Sequence, residues 1–274
     1  MKPLIKWPGG KRALVPLLKE LYAPYENLPL YEPFAGGMAI TLGVAPKQAI
    51  LNDVCEPLIN LYQQIKDGLE VTIPLKNTKE YYYECRGTFN ALEKSESNDP
   101  LRAQLFYYLN RAGYNGLCRF NRKGGYNVPF GKHKRLYFLG DLRPYRDLFQ
   151  GYEFHSHDFE FMAIPDDLFI YADPPYDGLF TSYSNDVFTW EDHIRLAHWL
   201  AERNSPIVVS NRETQRVIEL YSDLGFDVHN VSRRTTISAS KKGRKTVPDV
   251  LMTKNIEGVD KVVETHISYG KEVC

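Results

Sequence analysis

The sequence predicts an α/β protein with an open, mostly parallel sheet and helices on both faces. Short apolar or β-branched runs are each followed by a turn and then by a helical pattern, and this order repeats along the chain. The chain has 274 residues, of which 43% are hydrophobic and 25% are charged. That length and composition suffice to bury a core without disulfides and exclude wholesale disorder.

The strand–helix units follow one another from the first third of the chain to its end. The predicted strands span residues 30–34, 49–51, 152–155, 168–172 and 206–210, and the predicted helices span 56–66, 190–203 and 213–221. The first strand leads through Ala-Gly-Gly into an apolar segment, and the second ends at Asn-Asp. Ligands of such sheets bind beyond the carboxyl ends of the strands, so we expect the functional residues there.

The middle of the chain has a different pattern. Residues 79–92 and 100–110 look helical and aromatic-rich, and residues 112–134 form a loop with five glycines. A long glycine-rich loop inside a compact chain is usually functional or disordered, and its aromatic residues argue against disorder. We predict an inserted, mainly helical domain at 68–140. It splits an α/β domain that comprises 1–67 and 141–256. A C-terminal tail of little periodicity, at 257–274, is expected to be mobile.

Several classes of protein are disfavoured by the sequence. No run of 18 apolar residues predicts a membrane-spanning helix, and the first ten residues lack the apolar region of a secretory signal. The four cysteines are scattered without a Cys-x-x-Cys pair, which argues against a zinc site and a disulfide framework. We therefore expect a reduced cytoplasmic protein, in a bacterial or phage-infected cell, with no metal, no membrane and no obligate protein partner.

Charge is segregated along the chain although 34 Lys and Arg residues balance 34 Asp and Glu residues. Residues 111–146 carry nine basic side chains against one acid, and residues 233–254 carry seven against one. Residues 147–192 contain no Lys or Arg. Such asymmetry indicates a nucleic-acid surface beside an acidic pocket, although a solvated surface explains the charge alone equally well.

The most informative motif, Asp-Pro-Pro-Tyr at residues 173–176, directly follows a predicted strand. The two prolines end the strand and restrict its backbone. Asp173 and the carbonyl oxygen of Pro174 can accept both N–H bonds of an exocyclic amine, and Tyr176 offers a flat face to the ring that carries the amine. A rigid turn with a capping Asp is the alternative for these residues alone. The predicted catalytic residues are Asp173, Pro174, Pro175 and Tyr176.

Several separate motifs occur in the order found in one enzyme family. They are Lys-Trp-Pro-Gly-Gly-Lys at 6–11, Tyr-Glu-Pro-Phe-Ala-Gly-Gly at 31–37, Asn-Asp at 52–53, Asn-Arg-Ala-Gly-Tyr-Asn-Gly-Leu-Cys-Arg at 110–119 and Asp-Pro-Pro-Tyr at 173–176. With these motifs the chain resembles the Dam family of DNA adenine N6 methyltransferases, in its α-group order, over about residues 4–255. The resemblance implies a Rossmann-like, S-adenosylmethionine-dependent methyltransferase fold whose inserted domain recognises the target in double-stranded DNA.

The resemblance also implies a set of cofactor-binding residues. Lys11 would pair with the methionyl carboxylate, Asp53 would accept the ribose hydroxyls, and Asp158 would accept the adenine amine of the cofactor. Helix capping explains Asp53 and Asp158 as well. The full predicted set is Trp7, Gly10, Lys11, Phe34, Gly36, Asp53, Asp158, Phe159 and Asp173.

The predicted DNA-binding residues lie in the glycine-rich loop and at Lys6, where the family contacts the first guanine. Arg119 can form two parallel hydrogen bonds with guanine, and Tyr114 can wedge into the base stack. Lys132 and Lys134 would contact phosphates. His133 stands where close relatives carry tyrosine. The full predicted set is Lys6, Tyr114, Asn115, Leu117, Arg119, Pro129, Lys132, His133 and Lys134.

Three further segments have functional and ordinary interpretations. Residues 180–183 with 188–190 form a loop that would order over the target adenine, or a plain connection. Ser210-Asn211 matches a family motif near the target pocket, or caps a helix. The basic residues 241–245 form a predicted hairpin tip that would contact DNA or remain solvated.

The resulting hypothesis is methyl transfer from S-adenosylmethionine to N6 of an adenine in duplex DNA, within GATC. Because N6 cannot be reached inside the base stack, the adenine must be flipped out. The alternatives are an RNA-base or protein-glutamine amino-methyltransferase, and an inactive methyltransferase-derived DNA-binding module. The basic, aromatic loop favours DNA, and the presence of Lys11, Asp53 and Asp173 favours an enzyme.

Overall fold

The computed structural model describes residues 1–92, 99–176, 188–234 and 246–272. The strands are β1 Leu30–Glu32, β2 Ala49–Asn52, β3 Tyr152–His155, β4 Phe169–Ala172, β5 Ile207–Arg212, β6 Asp227–Arg234 and β7 Thr246–Lys254. The helices are α1 Val15–Tyr22, α2 Ala39–Val44, α3 Glu56–Lys66, α4 Lys79–Ala91, α5 Pro100–Ala112, α6 Arg143–Phe149, α7 Trp190–Ala201, α8 Gln215–Asp223 and α9 Val259–Glu272. The predicted target loop at 180–183 and the predicted basic tip at 241–245 lie outside the described residues.

The strands form one sheet in the order β3-β2-β1-β4-β5-β7-β6. Strands β1 to β5 are parallel, and β7 runs antiparallel to its neighbours β5 and β6. The predicted α/β class is therefore confirmed. From β1 the chain proceeds outward to β2 and β3, whereas β4 and β5 lie on the other side of β1. The strand order reverses between β1 and β4, and in such sheets that is where a crevice opens beyond the strand ends.

Side chains of the central strands alternate between two apolar layers. On β4, Phe169 and Tyr171 belong to the layer that contains α1 and α3, whereas Ile170 belongs to the layer that contains α7 and α8. All three side chains are buried. Burial of each large apolar side chain contributes roughly 1.5–3 kcal/mol, so hydrophobic packing holds helices on both faces of the sheet.

Helix α5 links the predicted inserted domain to the α/β domain. Asp99 caps its N-terminus by accepting the Leu101 N–H at 2.7 Å, and Pro100 occupies the first turn. Buried Arg102 of α5 forms an ion pair with Glu56 of α3. Isolated antiparallel bridges, Gly113–Phe130 and Phe120–Tyr126, follow α5. The domain boundaries at 68 and 140 stay a prediction.

The C-terminal segment differs from its predicted structure. Residues expected to form a tail of little periodicity fold into α9, which packs against α1 and β6. Val259 and Val263 are buried in this contact. Among the described residues, none of the helices is long and apolar enough to cross a membrane.

Candidate active site

The loops that follow β1, β2 and β3 are fastened together by one buried amide. The Asn52 Nδ2 donates to the carbonyl oxygens of Pro33 at 3.1 Å and His157 at 2.9 Å, and its Oδ1 accepts the His157 N–H at 3.0 Å. Asn52 is fully buried, so three satisfied hydrogen bonds hold these loops at the carboxyl edge of the sheet. The predicted cofactor residues Phe34, Asp53 and Asp158 lie on these loops.

Lys11 and Asp173 form a buried ion pair at the centre of this edge. The distance from Lys11 Nζ to Asp173 Oδ1 is 2.5 Å, and Lys11 is only 2% exposed. The ammonium also donates to the Gly9 carbonyl oxygen at 3.0 Å and lies 4.3 Å from the centroid of the Tyr176 ring. A lysine ammonium has three N–H donors, so the described contacts leave one for a bound anion. Both ends of the Asp-Pro-Pro-Tyr motif therefore contact one cation.

Asp173 receives a second donor from the neighbouring strand. The Ser210 hydroxyl on β5 donates to Asp173 Oδ1 at 2.8 Å, and the Tyr171 hydroxyl on β4 lies 2.9 Å from Ser210 Oγ. Ser210 and Tyr171 are both buried. Ser210 thus contacts the predicted catalytic carboxylate. A role as a helix cap alone would not require this contact.

The glycines after β1 bring the backbone against Trp7. A Cβ added at Gly36 would lie 2.8 Å from Trp7 Nε1, and one added at Gly37 would lie 3.0 Å from Trp7 Cβ. Gly36 also has a φ of 47°, in the left-handed region that favours glycine. The Tyr62 hydroxyl donates to the Gly36 carbonyl oxygen at 2.8 Å. The loop is therefore held in a shape that a side chain at Gly36 would disturb.

Glu32, at the end of β1, ties this loop to α2. Its Oε1 accepts the Thr41 N–H at 2.9 Å and also accepts a hydrogen bond from the Thr41 hydroxyl. Glu32 is 3% exposed, and this burial raises its pKa to about 8. The carboxyl group is thus protonated at neutral pH and joins β1 to α2 as a neutral group.

Asp53 lies between the loops that follow β1 and β2. Its Oδ2 accepts the Gly36 N–H at 2.9 Å, and its Oδ1 accepts the Cys55 N–H at 2.9 Å. Burial raises the pKa of Asp53, and the two backbone donors oppose that rise. Each carboxylate oxygen has one further acceptor direction, so Asp53 can still accept a pair of neighbouring hydroxyls.

Three phenylalanine rings line the edge near Asp158. The centroid of Phe34 lies 5.7 Å from that of Phe159 and 5.5 Å from that of Phe188. Phe159 is buried, whereas Phe34 is half-buried. These rings provide an apolar wall for a planar ligand.

Arg195 of α7 holds Asp158 in a two-pronged ion pair. Its Nη1 and Nη2 donate at 2.8 Å to Oδ1 and Oδ2 of Asp158, and its guanidinium lies 4.6 Å from the Phe159 ring centroid. Hydrogen bonds from Arg195 lower the pKa of Asp158. Asp158 Oδ1 also accepts the Glu160 N–H at 3.0 Å, as the predicted capping role requires. One acceptor direction, on Oδ2, is then left for a ligand amine.

Lys6 is built into the base of the glycine-rich loop. Its backbone N–H donates to Asn110 Oδ1 at 2.8 Å, and Asn110 Nδ2 donates back to the Lys6 carbonyl oxygen at 2.8 Å. A Cβ added at Gly116 would lie 2.3 Å from Lys6 Cβ. Burial and the nearby Arg111 charge lower the pKa of Lys6. Residues 6–11 therefore run from the glycine-rich loop to the Asp173 ion pair.

Most of the predicted DNA-binding residues share an exposed position in the loop that starts at Gly113. Arg119 is exposed, and its Nε donates to Asn127 Oδ1 at 2.6 Å. Tyr114 is 48% exposed. The exposed members of the predicted set are Tyr114, Asn115, Arg119, Pro129, Lys132 and Lys134, while Leu117 is half-buried.

His133 contributes to the shape of this loop. Its Nε2 lies 3.0 Å from the Gly113 carbonyl oxygen, and the Asn77 Nδ2 donates to the His133 carbonyl oxygen at 2.8 Å. A Cβ added at Gly131 would lie 2.4 Å from His133 Nε2. The imidazole thus packs within the loop, and its predicted DNA contact stays a prediction.

Several residues that hold the site were not predicted. Arg195 and Tyr171 carry no motif, because their partners Asp158 and Ser210 lie 37 and 39 positions away in the chain. The partner of Glu32, Thr41, is nine residues away, and a polar residue on the first turn of α2 was the available signal. Among the described residues, no group of three or more His, Cys, Asp and Glu side chains could hold a metal ion.

Comparisons with known proteins identify relatives over most of the chain. The family model for D12 class N6 adenine-specific DNA methyltransferases matches residues 7–237. The chain is 36% identical over 270 residues to a DNA adenine methylase of Escherichia coli K12, covering 91% of this chain and 94% of the relative. It is 33% identical over 270 residues to the Retron Ec67 DNA adenine methylase of Escherichia coli, covering 92% and 90%.

A third relative has a different biological description. The type II methyltransferase M1.LlaDCHI of Lactococcus lactis subsp. cremoris is 32% identical over 274 residues, covering 92% of this chain and 95% of the relative. All three matches extend through the Asp173 site and the glycine-rich loop. They confirm the prediction of an adenine-specific DNA methyltransferase and leave the roles of single residues as predictions.

Proposed function

The chain belongs to the D12 class of N6 adenine-specific DNA methyltransferases, and we propose that it methylates an adenine flipped out of duplex DNA, within GATC. The observation that carries this proposal is the position of Asp173 at the reversal point of the sheet, between Lys11, Ser210 and Tyr176. We also propose that the protein acts in the cytoplasm of a bacterial or phage-infected cell, because its named relatives are bacterial methyltransferases.

The proposed methyl donor is S-adenosylmethionine, which supplies an electrophilic methyl group on a sulfonium. The residues at the edge fit its parts. The third N–H of Lys11 suits a carboxylate, and the two oxygens of Asp53 suit a pair of ribose hydroxyls. The wall of Phe34, Phe159 and Phe188 suits a purine ring. The Gly36 turn, against which Trp7 packs, holds the loop beside this site in place.

At the target, the chain's own residues would bind and orient the adenine amine. Asp173 and the Pro174 carbonyl oxygen would each accept one N–H bond of N6, and the ring would stack on Tyr176. These contacts would favour a tetrahedral nitrogen, whose lone pair is then less delocalised into the ring and faces the methyl donor. As the N–C bond forms, the bond between the methyl carbon and the sulfonium sulfur would break, and its electron pair would stay on sulfur as a neutral thioether. The nitrogen would then be positively charged and acidic, and its proton can leave through Asp173. Hydrogen bonds to a charged group contribute roughly 1.5–3 kcal/mol each, so alignment supplies much of the remaining rate enhancement.

The glycine-rich loop would select the sequence. Arg119 would form two hydrogen bonds with guanine O6 and N7, and Lys6 would contact the first guanine. Leu117 and Pro129 would touch a thymine methyl group. Tyr114, which projects into solvent, would fill the gap that the flipped adenine leaves. Lys132 and Lys134 would contact phosphates without reading sequence.

The proposal is tested by treating genomic DNA with purified protein and S-adenosylmethionine, then mapping N6-methyladenine at single-base resolution. We expect modification at the adenine of GATC and at no other tetranucleotide above background. Modification centred on a different sequence would overturn the proposed specificity. Methylation of matched RNA, with none on DNA, would overturn the proposed activity.

Base flipping is tested separately with a duplex that carries the fluorescent base 2-aminopurine at the target position. An unstacked 2-aminopurine is brighter than a stacked one, so we expect fluorescence to rise when protein and the cofactor analogue sinefungin are added. A duplex with 2-aminopurine four bases away is the control. Equal changes in both duplexes would contradict flipping.

A further inference from the structure

We propose that Ser210 and Tyr171 are positioning residues that orient the Asp173 carboxylate, so that its Oδ2 oxygen receives the target amine. This inference rests on the proposed function, because it concerns how the same site holds adenine. The observation that carries it is a chain of buried hydrogen bonds from Tyr171 through Ser210 to Asp173 Oδ1.

The sheet itself places these groups in line. Tyr171 on β4 is paired with Val208 on β5, and Ser210 lies two residues further along β5 on the same face. Asp173 lies two residues beyond Tyr171, directly after the last residue of β4. Parallel pairing of two neighbouring strands therefore brings a hydroxyl on each strand to the carboxylate at the strand end.

The direction of the protons in this chain is determined by the carboxylate. Asp173 is paired with the Lys11 ammonium and acts as an acceptor, so Ser210 must donate its single hydroxyl hydrogen to Oδ1. Ser210 Oγ is then an acceptor toward Tyr171, whose hydroxyl must donate to it at 2.9 Å. Burial raises the pKa of Tyr171 well above its ordinary value, which keeps this hydroxyl protonated.

The two oxygens of Asp173 consequently have different roles. Oδ1 accepts from Lys11 Nζ at 2.5 Å and from Ser210 Oγ at 2.8 Å, which occupies its two lone pairs. Among the described residues, none donates to Oδ2. A lysine side chain alone leaves a carboxylate free to rotate, whereas a second donor on a rigid strand restricts it. Ser210 therefore restricts the carboxylate and leaves Oδ2 available to an amine N–H.

The experiment compares turnover and binding for Ser210→Ala, Tyr171→Phe and the double variant. We expect Ser210→Ala to lower kcat at least tenfold, with the KM for S-adenosylmethionine and the Kd for a GATC duplex within twofold of wild type. We expect Tyr171→Phe to lower kcat about threefold. The double variant should be no slower than Ser210→Ala, because Tyr171 reaches Asp173 only through Ser210.

Matched controls separate positioning from general loss of structure. Ser205→Ala removes another buried serine hydroxyl, which donates to the Asp166 carbonyl oxygen at 2.7 Å away from the site. Tyr221→Phe removes a buried tyrosine hydroxyl that has no hydrogen-bond partner among the described residues. We expect both controls to retain wild-type kcat. If Ser210→Ala does not fold, Ser210→Cys keeps the side-chain size with a weaker donor and is expected to lower kcat similarly.

The outcomes distinguish this inference from the proposed function. A kcat within twofold of wild type for Ser210→Ala, or a Tyr171→Phe effect that persists in full without Ser210, would overturn the positioning role. A raised KM with unchanged kcat would also overturn it, since the residues would then act on binding. Failure of the wild-type chain to methylate adenine would instead overturn the proposed function.

Discussion

The Lys11–Asp173 pair shows how much of the site depends on single residues. The two lie 162 positions apart, and Lys11 is almost completely buried. Removing one partner of a buried ion pair typically destabilises by about 3–5 kcal/mol, because the other charge is left uncompensated. The motif predicts a functional role for Asp173. It does not predict the pairing with Lys11, because Lys11 was expected to bind the cofactor and the structure places its ammonium against Asp173.

Replacement of Asp173 tests its predicted role in the reaction. We expect Asp173→Ala to bind duplex DNA but to lose methyl transfer by at least 100-fold, because one acceptor for the target amine is gone. Asp173→Asn retains an oxygen beside Lys11 and is the matched variant for folding. Transfer of labelled methyl groups and fluorescence anisotropy of a labelled duplex are the two measurements. Activity near wild type in either variant would refute the role.

Replacement of Arg119 tests sequence reading. The exposed guanidinium is held by Asn127, whose Oδ1 and carbonyl oxygen accept from its Nε and Nη2. We expect Arg119→Ala to lower discrimination at one base position by roughly 1–3 kcal/mol, that is about 5- to 150-fold. Methylation rates on GATC and its single-base variants measure this. Equal losses on every sequence would show that Arg119 contacts phosphate instead.

At the scale of elements, the predictable parts are those with regular spacing. Helix α3 was predicted with its observed bounds, because its apolar residues repeat at helical intervals and Pro57 marks its first turn. Helix α9 was missed, because valines form helices poorly and its apolar face is short. Its burial against α1 and β6 is a tertiary effect that no local pattern reports.

The connection between β1 and α2 predicts a pH dependence of stability. The Glu32 carboxyl has a pKa of about 8 in the folded chain and an ordinary value of 4.5. Between these pH values the folded chain holds a proton that the unfolded chain has released, so stability falls as pH rises from about 4.5 to 8. We expect Glu32→Gln, which keeps the acceptor for Thr41, to flatten this dependence. Urea unfolding at pH 5, 6.5 and 8 measures the free energy of unfolding of wild type and Glu32→Gln. The same change of this free energy with pH in both proteins would contradict the prediction.

The connection between α7 and the loop after β3 predicts a cofactor effect. Arg195→Met removes the two-pronged donor from Asp158, so we expect the KM for S-adenosylmethionine to rise about tenfold while the Kd for DNA stays constant. Arg203→Met is the control, because that guanidinium stacks on Trp199 at 3.8 Å. If both variants shift KM equally, the effect belongs to α7 packing in general.

For the whole molecule, zero net charge conceals a basic face. The exposed Lys132, Lys134 and Arg135 lie in the segment 111–146, which contains nine basic residues and one acidic residue. The segregation could be read from the sequence, since like charges cluster along the chain. The convergence of Lys11, Asp53 and Asp158 on one edge required the strand order, which sets distances between residues far apart in the chain.

Salt dependence tests this face. If Lys134 contacts a phosphate, Lys134→Gln should weaken binding to all duplexes alike and reduce the slope of log affinity against log salt by about 0.9. Lys19→Gln, at an exposed position of α1, is the matched control and should leave the slope unchanged. Binding isotherms from 50 to 300 mM salt provide the slopes. Identical slopes for wild type and Lys134→Gln would place Lys134 outside the interface.

The short path from Lys6 to Lys11 has a consequence for fidelity. One end of this six-residue segment is hydrogen-bonded to Asn110 beneath the loop proposed to read the sequence, and the other end is paired with Asp173, the proposed catalytic carboxylate. A wrong base that displaces Lys6 would therefore disturb the chemistry as well as the grip on DNA. Sites that differ from the recognition sequence by one base should then be bound but not methylated. Discrimination between sequences would therefore occur in the methyl-transfer step as well as in DNA binding.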